Sequence, residues 1–406
     1  MDMHGEGIMA RKPHRFGWPA VAIIAGVLSL FKGARLPNRW SATQALVDYS
    51  QGFTKRGLFG AIVANPFHLW FYDRFAVVSV VLFIVLLAAL VLFTLRSGIT
   101  GCLGGNQITA MFFGSYTLPL LANAIGYLDI PLASITLLLL LVAHPQIRFT
   151  LAIPLLTVAL LVHELYLIVF VPVLFLSFLL QALGEENTRK ARQAIWMGSI
   201  LVVFALLIAA GLALKPSMDA GRAAKMQTTL AAKADFPMYS GFSDVLTRSA
   251  RDNVEIMRGE LSNDVGWQTG QIGLFIVLAP PIVLTLWTTI ATIKSSQLRH
   301  KEVAIAVACC ASLSALLMNC YGFDFTRWDG LTGLNAFVVL LTAYRFARRS
   351  KPVQLGFSTE IIVATLCLSM ASGGFLMDSA TRFYPPTHRI KQILFRLHEN
   401  RSERAR

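Results

Sequence analysis

Charge is scarce in this sequence: Asp, Glu, Lys and Arg make up only 14% of 406 residues, against roughly 25% in a soluble globular domain. A chain so poor in polar groups cannot cover its own surface in water, which excludes disordered, fibrous and ordinary soluble classes. Cysteine is sparse as well. The five cysteines form no C-x-x-C pair; Cys309, Cys310, Cys320 and Cys367 lie in or beside apolar stretches and Cys102 in a Gly-rich turn. That pattern excludes a disulfide framework and a zinc-ligand array, leaving small apolar side chains. No phosphate-binding loop, haem ligand set or retinal-type lysine occurs within the apolar runs, so energy for any reaction must come from the substrate's own bond. Acidic residues are the rarer sign, and the formal net charge is +14. Nothing gathers the basic residues into a domain with interleaved aromatics, so nucleic acid is not an expected partner; contacts to cytoplasmic lipid head groups are.

What the chain has in abundance is hydrophobic sequence, 55% of residues with mean hydropathy +0.60. About 20 apolar residues cross roughly 30 Å of hydrocarbon. Candidate spans lie near 17–31, 75–95, 107–125, 130–143, 149–162, 165–182, 194–214, 270–293, 303–320, 330–346 and 357–376. The runs are continuous rather than alternating, so the expected fold is all-α: one polytopic transmembrane bundle over 1–406, of about eleven spans (ten to twelve). The basic start of the chain resembles a signal peptide, but no A-x-A-like site closes its apolar run, so an uncleaved first span is expected. Lys and Arg cluster in alternate short loops (Arg96, Arg148, 189–192, 294–301 and 345–351), which predicts a cytoplasmic N-terminus. Segments 32–74 and 215–269 are then long outer loops, and 377–406 is a basic tail whose side depends on the span count.

The polar groups unusual for such a protein fall on the outer side. Asp48 stands in VDYSQGFTKRGLFGAI with Lys55 and Arg56. His163 and Glu164 form a two-residue turn between spans. Arg248, Arg251 and Arg258 lie in RSARDNVEIMRGE; Asp324, Arg327, Trp328 and Asp329 lie in the expected outer loop FDFTRWDG. Ionisable residues at membrane depth are costly and mark functional sites by default. Blander readings stand beside these: Asp48 pairing with Lys55 or Arg56, Asp324 and Arg327 neutralising one another, Trp328 as an interfacial belt residue. Arg248, Arg251 and Arg258 share roughly one helical face, suited to a diphosphate. The Arg-and-Gly pair ten residues apart, Arg248 with Gly259, recurs at Arg15 with Gly26 and Arg345 with Gly356, and so carries no weight.

A carboxylate near arginines at the edge of an apolar bundle suits sugar transfer from a polyprenyl-linked donor. A phosphate leaving group needs no protonation, so one base suffices, with cations neutralising the departing charge. A soluble glycosidase needs two carboxylates about one bond. The long first outer loop with its acid, followed by the HE turn and DFTRWDG, resembles GT-C-type glycosyltransferases and multi-pass proteins of bacterial polysaccharide assembly. That resemblance is chiefly architectural. It implies a site in the inner (plasma) membrane that takes a lipid-linked sugar donor and a glycan or lipid-linked acceptor. On that pattern Asp48 takes the place of the first-loop catalytic acid, and the one-sided clustering adds His163, Glu164 and Asp324 as further catalytic candidates. Lys55, Arg56, Arg248, Arg251, Arg258, Arg327, Trp328 and Asp329 would bind substrate. No cofactor is required; a divalent cation between acid and phosphate is a candidate. The chain departs from several such families in lacking an acidic pair in the first loop and a large soluble C-terminal domain. The alternative is a lipid-linked oligosaccharide flippase or other transporter, binding through the same charges without breaking a bond.

Overall fold

The computed structural model describes residues 17–50, 52–54, 56–63, 71–213, 218–239, 241–248, 250–263, 265–320, 324–347 and 358–371. Among them every regular element is a helix. In chain order these are α1 (Gly17–Gly33), α2 (Arg39–Leu46), α3 (Gly57–Val63), α4 (Phe71–Ser97), α5 (Leu103–Gly114), α6 (Thr117–Asn123), α7 (Asp129–Leu141), α8 (Pro145–Val162) and α9 (Tyr166–Val169). There follow α10 (Val171–Gly184), α11 (Thr188–Ala213), α12 (Ala220–Lys233), α13 (Phe242–Thr247), α14 (Ala250–Asn263), α15 (Val265–Lys294), α16 (Lys301–Leu313), α17 (Phe325–Phe346) and α18 (Thr359–Ala371). Among the described residues six stretches are long and apolar enough to cross a membrane: Phe71–Ser97, Pro145–Val162, Tyr166–Gly184, Thr188–Leu212, Ile276–Lys294 and Lys301–Cys320. Three shorter apolar helices accompany them: Gly17–Gly33, Asp129–Leu141 and Thr359–Met370.

Each of the eleven expected segments is helical in its described part, with local differences. The stretch 107–125 is broken at Ser115, whose hydroxyl donates to the Phe112 carbonyl and closes α5 before α6 begins. The loop reading of FDFTRWDG is corrected: α17 starts at Phe325, and the Asp324 carbonyl accepts from the Trp328 amide. The segment 215–269 is not a plain loop either, since it carries α12, α13 and α14. The tail 377–406 lies outside the described residues.

Large apolar side chains stay exposed in stripes. On α4 these are Val77, Val81, Ile84, Val91 and Leu95, while Phe75, Phe83, Leu86, Leu90 and Phe93 face the core. On α11, Trp196, Ile200, Val203 and Leu207 are exposed. Apolar stripes of this extent are unfavourable against water and suit hydrocarbon. A second, smaller core joins Ala42, Leu46, Phe71, Phe75, Met226, Leu230 and Phe242, so α12 and α13 dock onto α2 and the start of α4.

Helix α7 has 13 residues and spans about 20 Å, well short of the hydrocarbon thickness, so its terminal carbonyls need partners from protein. Arginines supply them. Arg345 donates to the Leu141 carbonyl at 2.8 Å and Arg148 to that of Val142 at 3.4 Å. Arg148 is fully buried, lies over the rings of Phe178 and Phe346, and also donates to Gln181, whose amide reaches the Ala143 carbonyl. The negative end of the helix dipole thus substitutes for a carboxylate beside these cations.

Candidate functional site

At the opposite end of α7 five separate segments converge. The connection after α1 brings Arg35 and Asn38; the turn before α3 brings Arg56; the approach to α7 brings Tyr127 and Asp129. The α8–α9 turn brings His163 and Glu164, and the start of α17 brings Asp324 and Arg327. Asn38 caps α2 through the Ser41 amide and donates its side-chain amide to the Tyr127 hydroxyl at 3.1 Å. Arg35 donates to the Asn123 carbonyl.

Arg327 is held on four sides. Its Nε lies 2.6 Å from Asp129 Oδ2, and Nη1 donates to Asp324 Oδ2 at 3.0 Å. The guanidinium packs over Trp328 and Tyr127, 4.0 and 4.9 Å from the ring centroids. Asp129 is only 1% exposed. Neither of its oxygens accepts a well-aligned hydrogen bond from a described residue, although Arg327 touches it. The pair is therefore chiefly a contact of opposite charges in a poorly solvated place, where such contacts are strongest and their loss most costly.

Beside it lies a looser pair. Arg56 donates Nη2 to Glu164 Oε1 at 2.7 Å and Nε to Oε2 at 3.3 Å, a two-pronged fork. These side chains keep 27% and 36% of their exposure. Arg56 adopts φ +68°, a left-handed conformation that a non-glycine residue takes at a cost. The turn thereby fixes where the guanidinium emerges. The two pairs belong to one electrostatic neighbourhood, since Asp129 interacts with Arg56 and His163 with Arg327. Two arginines (Arg56 and Arg327) thus face three acids (Asp129, Glu164 and Asp324), with neutral His163 among them.

Burial lowers the His163 pKa to about 4, and Arg56 pushes the same way, outweighing Glu164. The neutral imidazole accepts from the Leu165 amide at Nδ1, 3.3 Å away. Glu164 Oε2 lies 3.3 Å from that nitrogen, and the contact becomes an ion pair only on protonation. Burial alone would raise the Glu164 pKa, but Arg56 and His163 outweigh it and hold the carboxyl well below its ordinary range. In the unfolded chain both groups revert to ordinary values, so between pH 7 and 4 the unfolded state takes up more protons than the folded one. Stability must then fall as pH drops through that window. Thermal melting of the detergent-solubilised protein is expected to shift down progressively from pH 7 to 4; a flat profile would contradict this electrostatic assignment.

Asp48 stands in a different contact set. It is 7% exposed, accepts from the Ser50 amide and hydroxyl, and pairs with Lys233 at the end of α12 at 2.9 Å. Burial pushes its pKa up, but Ser50 and Lys233 prevail and lower it. Its cationic partner is thus Lys233 on a distant segment; Lys55 lies outside the described residues. The same docking is fixed by Asp235 accepting from the Tyr72 amide and by Trp40 edge-on to Tyr239 and Phe242.

The structure brings Arg56, His163, Glu164, Asp324 and Arg327 together. It turns Trp328 inward, where the ring is buried rather than placed in an interfacial belt. Asp329 accepts from Asn319 at 3.3 Å. Arg248 precedes α14, while positions 251 and 258 lie on it. No described contact carries Arg248 or Arg258 to the convergent site. Asp129, Tyr127, Arg35 and Asn38 were missed by sequence reasoning. Asp129 had a signal, an acid at the very start of an apolar run, which reads as a span boundary unless its pairing is known. Among the described residues no group of three or more His, Cys, Asp or Glu side chains is placed to hold a metal. No family model, curated protein or solved structure matches the chain.

Proposed function

We propose that the protein is a membrane-embedded glycosyltransferase of cell-surface glycan assembly. It takes a sugar from a polyprenyl-(di)phosphate donor and works at the outer face of a bacterial inner membrane, either adding single sugars or polymerising repeat units. The observation that carries this reading is the Arg56–Glu164 fork, accessible to solvent and set beside the buried Arg327–Asp129 pair at the ends of apolar helices. Arg96, Arg148 and Arg345 gather at the other end of the bundle, which supports a cytoplasmic assignment for that end. The acceptor hydroxyl attacks the anomeric carbon, and its proton passes to a carboxylate. The bond from that carbon to the phosphate oxygen breaks, and the polyprenyl (di)phosphate departs with the electron pair. Arg56 neutralises the leaving charge. Glu164 is the acid best placed to take the proton, because Asp48 is enclosed by Lys233 and Ser50.

The test is transfer itself. Purified protein in vesicles, given a lipid-linked sugar pool, is expected to lengthen or decorate an acceptor, and Glu164→Gln to reduce the rate by about 10²–10⁴-fold. If the glycan is merely moved across the bilayer, with no new glycosidic bond, the flippase alternative replaces the transferase.

A further inference from the structure

We infer that Glu164 is an internal stand-in for the donor phosphate: donor and carboxylate compete for the Arg56 fork, and displacement by the donor is what frees Glu164 to act as base. This inference rests on the transferase reading. Its ground is the contrast between two adjacent ion pairs. Arg327 is bound by two carboxylates and two aromatic faces and is 12% exposed, so little of it is open to an incoming anion. Arg56 has one described carboxylate partner, engaged through the planar two-pronged geometry that guanidinium also offers phosphate. Both members of that pair are accessible, so exchange needs neither burial of a bare charge nor disruption of the core.

The left-handed backbone at Arg56 adds to this, since the strain fixes the arginine while the carboxylate sits on the short α8–α9 connection. The movable member is then Glu164. A carboxylate locked to a guanidinium is a weak base; once phosphate takes its place, it regains basicity beside the leaving group. Proton removal is thereby tied to donor occupancy, which protects the acceptor site from idle ionisation. His163, buried and neutral, lies beside the carboxylate, its Nδ1 3.3 Å from Glu164 Oε2.

The full-length protein in nanodiscs is titrated with geranylgeranyl phosphate and, separately, inorganic phosphate, using wild type, Glu164→Gln, Arg56→Gln and Arg56→Lys. Removing the competitor is expected to tighten geranylgeranyl phosphate binding in Glu164→Gln at least tenfold, while transfer is lost. Both Arg56 variants are expected to weaken binding, lysine less than glutamine. Equal tightening toward inorganic phosphate assigns recognition to the anion alone, whereas tightening confined to the prenyl probe assigns it to a lipid head group; both support the competition. Wild-type binding left unchanged or weakened by Glu164→Gln overturns the inference and leaves the transferase reading standing. Absence of binding by wild type and Glu164→Gln alike overturns both. Should the Arg56 variants fail to fold, the Glu164→Gln comparison decides alone.

Discussion

Methionine in place of Arg327 should destabilise the protein by about 3–5 kcal/mol, enough to remove most of a typical folding margin. The cost comes less from the arginine's own contacts than from what it leaves behind. Asp129 is buried, its oxygens accept no aligned hydrogen bond from a described residue, and Arg327 is its contacting cation. Without that cation the carboxylate must remain charged in a poorly solvating place or take up a proton. Asp324 also loses a partner, and the faces of Tyr127 and Trp328 lose the ion they enclose. Denaturant titration in detergent gives the measurement. Adding Asp129→Asn to Arg327→Met is expected to recover a substantial part of the loss, because the stranded charge is gone; a double-mutant cycle reads that coupling. If the single variant melts like wild type, the pair is not the keystone of this end of the bundle.

The second large effect is expected from one methyl group. A Cβ on Gly60 would lie 1.9 Å from the Val47 carbonyl oxygen, 2.6 Å from its carbon and 2.9 Å from the Ala45 oxygen. All three are backbone atoms, and the shortest approach is roughly an ångström and a half below contact distance. Helix α3 must therefore back away from the end of α2 in Gly60→Ala. The loop between these helices carries Asp48 near one end and Arg56 at the other, so a single displacement disturbs both the Lys233 and the Glu164 pairs. Overpacking of this kind costs about 1–3 kcal/mol, and a misplacement of about 1 Å in a reacting constellation costs about 10²-fold in rate. Transfer activity should thus fall far more than the melting temperature does. Gly101→Ala is the control, since a Cβ there meets nothing within 4 Å. Equal activity in both variants would refute the role given to the α2–α3 loop.

Hydropathy made the helical architecture legible, because backbone groups in hydrocarbon must be satisfied within the segment and continuous apolar runs can do so only as helices. Breaks inside the runs were not legible. Ser115 ends α5 through its own hydroxyl, a local device that leaves the hydropathy profile untouched. The Asp324–Arg327 stretch read as a loop because it is polar, yet its charges are taken up by Asp129 and by each other, which allows α17 to begin there. The amphipathic helices of 215–269 hide in a polar average, with Ala223, Met226 and Leu230 as the buried face of α12. Of the site, the clustering of ionisable residues at span ends was visible. Partner choice was not: Arg56 and Glu164 are 108 positions apart, and Asp48 pairs with Lys233, 185 positions away. Pairings at that distance are set by how helices stack, which one sequence does not encode in any local pattern.

Helices α7 and α17 are fastened to each other twice, by Arg327 against Asp129 at one end and by Arg345 on the Leu141 carbonyl at the other. Ties at both ends oppose sliding of the two helices past one another. A shift of the basic tip of α17 therefore strains the Leu141 end of α7, and a shift of its opposite tip strains Asp129.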